Sequence, residues 1–237
     1  MILDNNVKTI KLFNIVEENV NDYLQEVLFL LEYYNPWVFQ LGHISSFEYM
    51  YDKNLIKKFK SKVIKHSKYT EPIYFFNEAI KRYYSNPEDE TVFLYFYKVI
   101  EYFFFINRKA EIIKIISDNI SDMDKLLKGM NDIYKTEERR CLTYVLRNEL
   151  VETNINKILL KAKKNKLILK KNSESLAKGI YDYRNSIVHG KGDSNLKLRI
   201  PWSLDEDIIL VLWNQIIKEL AIVCISVFCY DNVLLTS

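Results

Sequence analysis

Glycine and proline are scarce in this chain, which argues against folds that need many tight turns. Only 5 glycines and 4 prolines occur among 237 residues. Sandwiches and barrels of β-strands are connected through turns that are rich in these two residues. Aromatic residues make up 14% of the chain, a content that excludes a disordered protein. We therefore expect a folded and mainly α-helical protein.

Cysteine and histidine are equally rare, with three of each in the chain. Cys141, Cys224 and Cys229 lie in apolar surroundings without CxxC spacing. This pattern indicates buried free thiols in a reducing compartment, and it excludes a disulfide framework or a zinc site. Residues 1–15 contain no basic region followed by an apolar block, the pattern of a signal peptide. We expect a cytoplasmic protein that uses no metal and no cofactor.

The apolar stretch at residues 208–230 is interrupted by polar side chains. A bilayer-spanning helix needs roughly 20 consecutive apolar residues. Lys218 and Glu219 lie inside this stretch. We therefore predict a buried helix here, and no membrane partner. The net charge of +3 is too small to indicate nucleic-acid binding without a local cluster of charge.

Helical periodicity dominates the chain. Apolar residues at three- and four-residue spacing predict a helix over residues 17–34, which ends before Pro36. Residues 9–16 alternate weakly and are a candidate strand. Residues 37–51 are rich in aromatic and β-branched residues, which indicates a strand or an irregular packing segment. The prediction is an N-terminal segment, residues 1–70, of mixed α and β character and unknown role.

From residue 71 onward the pattern predicts a helical bundle that reaches residue 237. Several helix starts are marked by capping residues. Asn86, followed by Pro87, is predicted to cap a helix that runs to about residue 107. Thr136 is predicted to begin another helix. The remaining predicted caps are Asn172 or Ser173, for a helix through His189, and Ser203 for the last helix.

One segment of the chain combines a cation, an amide and an imidazole near a predicted helix end. Arg184, Asn185 and His189 lie within six residues. On a helix, Asn185 and His189 are about 40° apart and share a face, whereas Arg184 and His189 are about 140° apart. Arg184 and His189 converge if the helix end frays, or if a second copy completes the site across a two-fold axis.

These residue types match the requirements of RNA cleavage without a metal. A base must accept the proton of the 2′-OH, and histidine titrates near neutral pH. A cation must stabilise the crowded phosphorane, and arginine does this with planar, forked donors. An amide can hold a phosphate or a base edge. His189, Arg184 and Asn185 provide this set.

The spacing of Arg184 and His189 resembles the R-x(4–6)-H signature of the HEPN superfamily, in which a polar residue commonly follows the arginine. Residues 180–190 look like the motif helix of its ApeA-like branch. Residues 93–104 look like the earlier helix of that branch, in which an acidic residue, here Glu101, faces the motif. The resemblance covers residues 71–230.

The resemblance implies a helical bundle that forms a homodimer with both motif helices along a shared cleft. Many members are metal-independent endoribonucleases, often toxins or effectors in stress or anti-phage defence, and their products carry 2′,3′-cyclic phosphate and 5′-OH ends. By position, His189 is the implied base, Arg184 the phosphate stabiliser and Asn185 an auxiliary residue. Glu101 is the implied partner of Arg184. Lys191 stands where one toxin subset has tyrosine, which argues against that subset.

A non-catalytic interpretation stays open beside the enzymatic one. Arg184 and Glu101 also suit a structural ion pair, and His189 before Gly190 suits a plain helix end. The alternative function is then a HEPN-like module that binds a protein or a nucleotide. A regulatory protein or another component of a defence system is a candidate partner in either case.

Residues 157–171 carry seven lysines and no acidic residue. Such a run is typical of phosphate contacts with RNA, and equally of a solvated helix face. The predicted RNA-binding residues are Lys161, Lys163, Lys164, Lys166, Lys170 and Lys171. The aromatic residues between positions 93 and 105 could stack bases, but their helical spacing favours the core or a dimer interface.

Overall fold

In the computed structural model, the described residues are 16–34, 66–189 and 204–231. They are 82% helical and contain no strand, so the mainly α-helical prediction is confirmed. After a short 3-10 turn, the helices are α1 (Val20–Tyr34), α2 (Glu71–Ser85), α3 (Glu90–Asn107), α4 (Lys109–Asn119), α5 (Met123–Tyr134), α6 (Glu138–Leu146), α7 (Glu149–Asn154), α8 (Asn156–Lys164), α9 (Ser173–His189) and α10 (Leu204–Tyr230). The candidate strands lie outside the described residues, apart from Val16.

The start of α3 differs from the prediction by three residues. Asp89, rather than Asn86, is the cap, and its side chain accepts from the backbone N–H of Thr91 at 2.8 Å. The Asn86 side chain accepts instead from the N–H of Glu88, which closes the preceding turn. Pro87 therefore lies in that turn and not in the first turn of the helix.

The structure corrects the predicted start of α6 and confirms the predicted cap of α9. Helix α6 begins at Glu138, and the hydroxyl of Thr136 donates back to the carbonyl of Asp132 at 3.0 Å, so Thr136 does not begin it. For α9, Asn172 provides the predicted cap, since its side chain accepts from the N–H of Ser175 at 2.8 Å.

The core is centred on α3, which packs against α2 and α10 on one side and against α6 on another. Helix α3 is apolar on most of its surface, as expected of a helix that is surrounded by others. Its aromatic residues are therefore mainly core residues, as the spacing favoured. The buried ones are Phe93, Phe96, Tyr97, Phe103 and Phe104.

Helix α1 shares this core although it precedes residue 70. The ring of Phe29 lies 5.1 Å from that of Phe76 on α2 and 5.9 Å from that of Tyr230 on α10. Phe29 is fully buried. The N-terminal segment is therefore joined to the bundle through this helix, while its predicted division at residue 70 stays a prediction.

Helix α10 is a core helix by its packing. Within the described residues, Asp207–Tyr230 is the segment long and apolar enough to cross a membrane by composition. It packs against α2, α3, α7 and α8. Asn214 in its middle donates to the carbonyl of Pro87 at 2.9 Å. A central helix of a bundle passes the same test of length and composition, and the structure favours the predicted buried helix.

The three cysteines are free and buried, as predicted. Burial is the main reason why the pKa of Cys229 rises to about 12, and it also raises the pKa of Cys141 and of Cys224. These thiols stay protonated at neutral pH and act as small core residues.

Candidate functional site

Helix α9 carries the predicted site residues and is fixed in rotation by an aromatic contact. The ring of Tyr183 stacks on Trp213 of α10 at 5.5 Å and meets Phe93 of α3 edge-on at 5.0 Å. Arg184 follows directly and points toward α6 and α3. His189 is the last described residue of α9, so the prediction of a helix that reaches it is confirmed. By helix geometry, its backbone lies about 7.5 Å beyond that of Arg184 along the axis.

The Arg184 guanidinium contacts Glu138, Asn185 and the ring of Tyr97 among the described residues. Its Nε lies 3.6 Å from Oε1 of Glu138, the first residue of α6. Its Nη1 donates to the side-chain oxygen of Asn185 at 3.1 Å. Its Cζ lies 5.9 Å from the ring centroid of Tyr97 on α3, within range of a cation–π interaction. The Arg184 side chain is 22% exposed, so solvent still reaches it.

Tyr97 and Glu138 form the buried side of this cluster. The Tyr97 hydroxyl donates to Oε1 of Glu138 at 2.6 Å. Burial, followed by this hydrogen bond to a carboxylate, raises the pKa of Tyr97 far above its usual value. Tyr97 therefore remains a neutral donor that orients Glu138, and the N-terminal end of α6 favours the carboxylate charge.

Glu101 lies near Arg184, but the ion pair goes to Glu138. Desolvation by the surrounding helices is the larger reason why the pKa of Glu101 is raised, and the negative charge of Glu138 adds to it. The cations of Arg184 and Lys98 act in the opposite direction. Glu101 is exposed as a residue. It therefore acts on the guanidinium by longer-range electrostatics. Among the described residues the geometry gives Glu138 as an ion-pair partner, which the sequence analysis did not select.

We name Arg184, Glu138, Tyr97 and Glu101 the Arg184 cluster. A partial signal for it exists in the sequence, because Tyr97 and Glu101 are four residues apart and share a face of α3. Glu138 gave no such signal, since an acidic residue in the first turn of a helix is common for electrostatic reasons alone.

The predicted RNA-binding lysines lie on α8 and on the loop that leads into α9. Two of them have partners within the chain. Lys161 Nζ lies 2.6 Å from Oε1 of Glu219 on α10, and Lys163 Nζ donates to the carbonyl of Leu169. The exposed side chains at this end are Lys163, Lys164, Lys166, Lys170 and Lys171.

The lysines and the Arg184 cluster lie at opposite ends of α9. Lys171 precedes the helix, and Arg184 lies twelve residues into it. At 1.5 Å per residue this separates the two by about 20 Å along the axis. A single nucleotide does not bridge this distance, so an RNA strand that touches both must extend along α9.

No protein family model, no curated protein and no solved structure matches this chain. Within the described ranges, no group of three or more histidine, cysteine, aspartate or glutamate side chains could hold a metal ion. The chemistry of the Arg184 cluster is that of an oriented cation beside two carboxylates and a phenol. Such a group can bind a phosphate or stabilise a developing negative charge.

Proposed function

We propose that the protein is a metal-independent endoribonuclease of the HEPN type, acting as an effector in stress or anti-phage defence. In this proposal Arg184 stabilises the phosphorane, and His189 accepts the proton of the attacking 2′-OH. Asn185 is the auxiliary polar residue. The products carry 2′,3′-cyclic phosphate and 5′-OH ends.

The observation that carries the proposal is the placement of Arg184. Its side chain is oriented by Glu138 and by the ring of Tyr97, yet 22% of it is exposed. A cation that is held in place before substrate arrives costs little reorganisation when charge develops on a phosphate. His189 follows on the same helix, five residues later.

The test is cleavage of a mixed RNA substrate by the purified full-length chain, with and without EDTA. We expect cutting in both conditions, and a rate reduced by about 100-fold or more for Arg184→Ala and for His189→Ala. Arg82→Ala is the matched control, because Arg82 also pairs with a glutamate, Glu78, at 2.9 Å, but lies on α2, which carries none of the predicted site residues.

Two results would reject this proposal. One is an absence of cutting by the wild-type chain across RNA substrates of different sequence and structure. The other is a cleavage rate that stays at the wild-type value in Arg184→Ala and His189→Ala as well as in Arg82→Ala, which indicates a contaminating nuclease.

The second candidate function is a non-catalytic module that binds a nucleotide or a protein. The observation that favours it is the ion pair between Arg184 and Glu138, because such pairs also serve structure alone. Isothermal titration with nucleoside mono-, di- and triphosphates tests it. Saturable binding that is lost in Arg184→Ala, in a chain that cuts no RNA, supports this candidate over the first.

A further inference from the structure

The loop between α8 and α9 is held in place at both of its ends. Lys166 ends α8 in the left-handed region of the backbone, with a φ of 59°. The N–H of Leu167 donates to the carbonyl of Ala162 at 3.0 Å, which turns the chain back beside α8. Ile168 belongs to the core and lies against α9, since a Cβ on Gly179 would be 3.3 Å from its Cγ2. The loop is therefore part of the packed bundle.

Two leucines project into solvent beside this anchored loop. Leu169 is 83% exposed, although its neighbour Ile168 is 4% exposed. Leu160 on α8 is 54% exposed. Lys163 lies between the two, because it follows Leu160 by three residues on the helix and its Nζ donates to the carbonyl of Leu169. The two leucines therefore lie on the same side of the molecule.

Exposed lysines surround these leucines. Lys164 shares a face of α8 with Leu160, while Lys166 and Lys170 lie on the loop on either side of Leu169. Residues 153–173 contain no acidic residue. We name this surface the basic apolar face: Leu160, Lys163, Lys164, Lys166, Leu169 and Lys170.

Acidic side chains border this face without entering it. Lys161 pairs with Glu219 at 2.6 Å, and Arg147 pairs with Glu174 at 2.6 Å. Lys171 lines a cleft together with two further glutamates, so it is not part of the face. These glutamates are Glu149 and Glu152. The positive charge is therefore concentrated around the two leucines.

The residue types in this region suit a lipid surface better than RNA. Residues 148–180 contain no aromatic residue and no arginine. Proteins that bind single-stranded RNA stack its bases on aromatic rings, and arginine is the preferred cation for phosphate recognition in nucleic acids. Lysine is a point charge on a long apolar stem, and exposed leucines beside it match the boundary between headgroups and acyl chains.

We propose that the basic apolar face binds the surface of a bilayer that contains anionic lipids, with Leu160 and Leu169 inserted below the headgroups. This contact lies on the membrane and does not involve α10. It revises the expectation of no membrane partner, which considered spanning segments alone. Arg184 lies about 20 Å away along α9, so the Arg184 cluster stays open to RNA in the bound state.

The charges predict reversible binding that depends on salt. Each lysine near an anionic leaflet increases the partition coefficient about fivefold. Screening reduces this contribution as the ionic strength rises. The inserted leucines contribute apolar burial, which salt does not screen. Binding therefore requires both parts of the face.

Co-sedimentation of the full chain with large vesicles tests this proposal. We expect binding to vesicles of equal parts phosphatidylcholine and phosphatidylglycerol, and none to phosphatidylcholine alone. Leu169→Asn should lower the partition coefficient about tenfold, because it removes the inserted side chain. Ile120→Asn is the control, since Ile120 is 74% exposed and follows α4, which packs mainly on α5 and α3. Circular dichroism checks that each variant is folded.

A pair of lysine variants tests the electrostatic part. Lys166→Gln with Lys170→Gln should lower the partition coefficient about 25-fold, at about fivefold for each lysine. Lys114→Gln with Lys128→Gln is the control of equal net charge, because these exposed lysines lie on α4 and α5. Equal reductions in the two double variants would show that net charge alone drives binding, and would overturn the proposal.

Three further results would overturn the proposal. One is an absence of binding to the anionic vesicles. Another is a partition coefficient that Leu169→Asn leaves at the wild-type value. The third is vesicle binding that Lys166→Gln with Lys170→Gln does not change, while binding to a single-stranded RNA of mixed sequence falls, which assigns the lysines to RNA. Vesicle binding is measured without RNA, so its outcome is independent of the proposed ribonuclease function.

Discussion

Two clusters in this bundle combine a cation, a glutamate and tyrosine rings, and they differ in their access to solvent. Lys218 Nζ lies 2.8 Å from Oε1 of Glu32, with side-chain exposures of 11% and 2%. Arg184 Nε lies 3.6 Å from Oε1 of Glu138, with side-chain exposures of 22% and 27%. The first pair is sealed within the bundle, and the second is partly open.

The sealed cluster has the features of a structural tie. Lys218 of α10 lies 4.9 and 5.0 Å from the ring centroids of Tyr83 and Tyr84 on α2. Glu32 belongs to α1, so the cluster joins three helices. A ligand cannot reach such a pair without unfolding. The open cluster lacks this restriction, and this difference is why we propose a functional role for Arg184 and a structural role for Lys218.

Removal of Lys218 is expected to have the largest effect. Lys218→Ala leaves the buried carboxylate of Glu32 without its cation, and Glu32 Oε2 already has no hydrogen-bond partner. We expect a loss of about 3–5 kcal/mol in the free energy of unfolding, measured by urea denaturation. Lys161→Ala, which breaks the more exposed pair with Glu219, should cost less than about 1 kcal/mol. Equal losses of unfolding free energy in Lys218→Ala and Lys161→Ala would contradict the distinction between buried and exposed ion pairs.

Replacement of the Arg184 guanidinium by an ammonium is expected to affect cleavage more than stability. Arg184→Lys keeps the charge beside Glu138 but loses the forked donors that suit a phosphate. We expect RNA cleavage to fall by about tenfold or more, with the free energy of unfolding changed by less than about 1 kcal/mol. A full cleavage rate in this variant would show that the guanidinium shape is not used.

The hydroxyl of Tyr97 is expected to contribute a moderate amount of stability. Tyr97→Phe removes a buried hydrogen bond to the Glu138 carboxylate, and we expect a loss of about 1–2 kcal/mol in urea denaturation. Tyr102→Phe is the control, because its hydroxyl donates to Glu71 in an exposed position, and its loss should be smaller. A larger loss of stability in Tyr102→Phe than in Tyr97→Phe would contradict the prediction that the buried hydrogen bond contributes more.

Glu101 is expected to have the smallest effect, and its effect depends on pH. Its pKa is raised above 4.5, so its contribution to stability is complete below that pH and is lost as the pH rises through the raised value. Glu101→Gln should therefore stabilise the chain by a few tenths of a kcal/mol at pH 7, and by nothing below pH 4.5.

Glu111→Gln is the control of opposite sign. The guanidinium of Arg108 lowers the pKa of Glu111, so the stability that Glu111 contributes is present above pH 4.5 and is lost as the pH falls through the lowered value. Thermal unfolding from pH 3.5 to pH 8 distinguishes the two variants. Melting temperatures that shift in the same direction in both variants at pH 7 would contradict the opposite pKa shifts of Glu101 and Glu111.

Periodicity was sufficient to predict the helical class and the bounds of several helices. The helical structure of residues 20–34 and 173–189 follows from periodicity and capping signals that lie in the sequence itself. The predicted start of α3 was wrong because two polar residues three positions apart, Asn86 and Asp89, both suit a cap, and the choice between them depends on where the chain turns.

The partner of Arg184 could not be read from the sequence. Glu138 is 46 positions away and reaches Arg184 only because α6 packs against α9. Glu101 has the same charge and lies on a neighbouring helix, so residue type alone does not decide between them. Helix packing decides it, and packing is a property of the whole bundle.

The most direct test of the account combines Arg184→Ala with Glu138→Gln and measures RNA cleavage and unfolding on the same preparation. The double variant leaves no carboxylate at position 138, and the cation of Lys98 remains near Glu101. We therefore expect its free energy of unfolding to lie within about 1 kcal/mol of the wild type. Cleavage should stay reduced by about 100-fold. A double variant that regains cleavage together with stability would contradict the account, because Arg184 would then serve the fold alone.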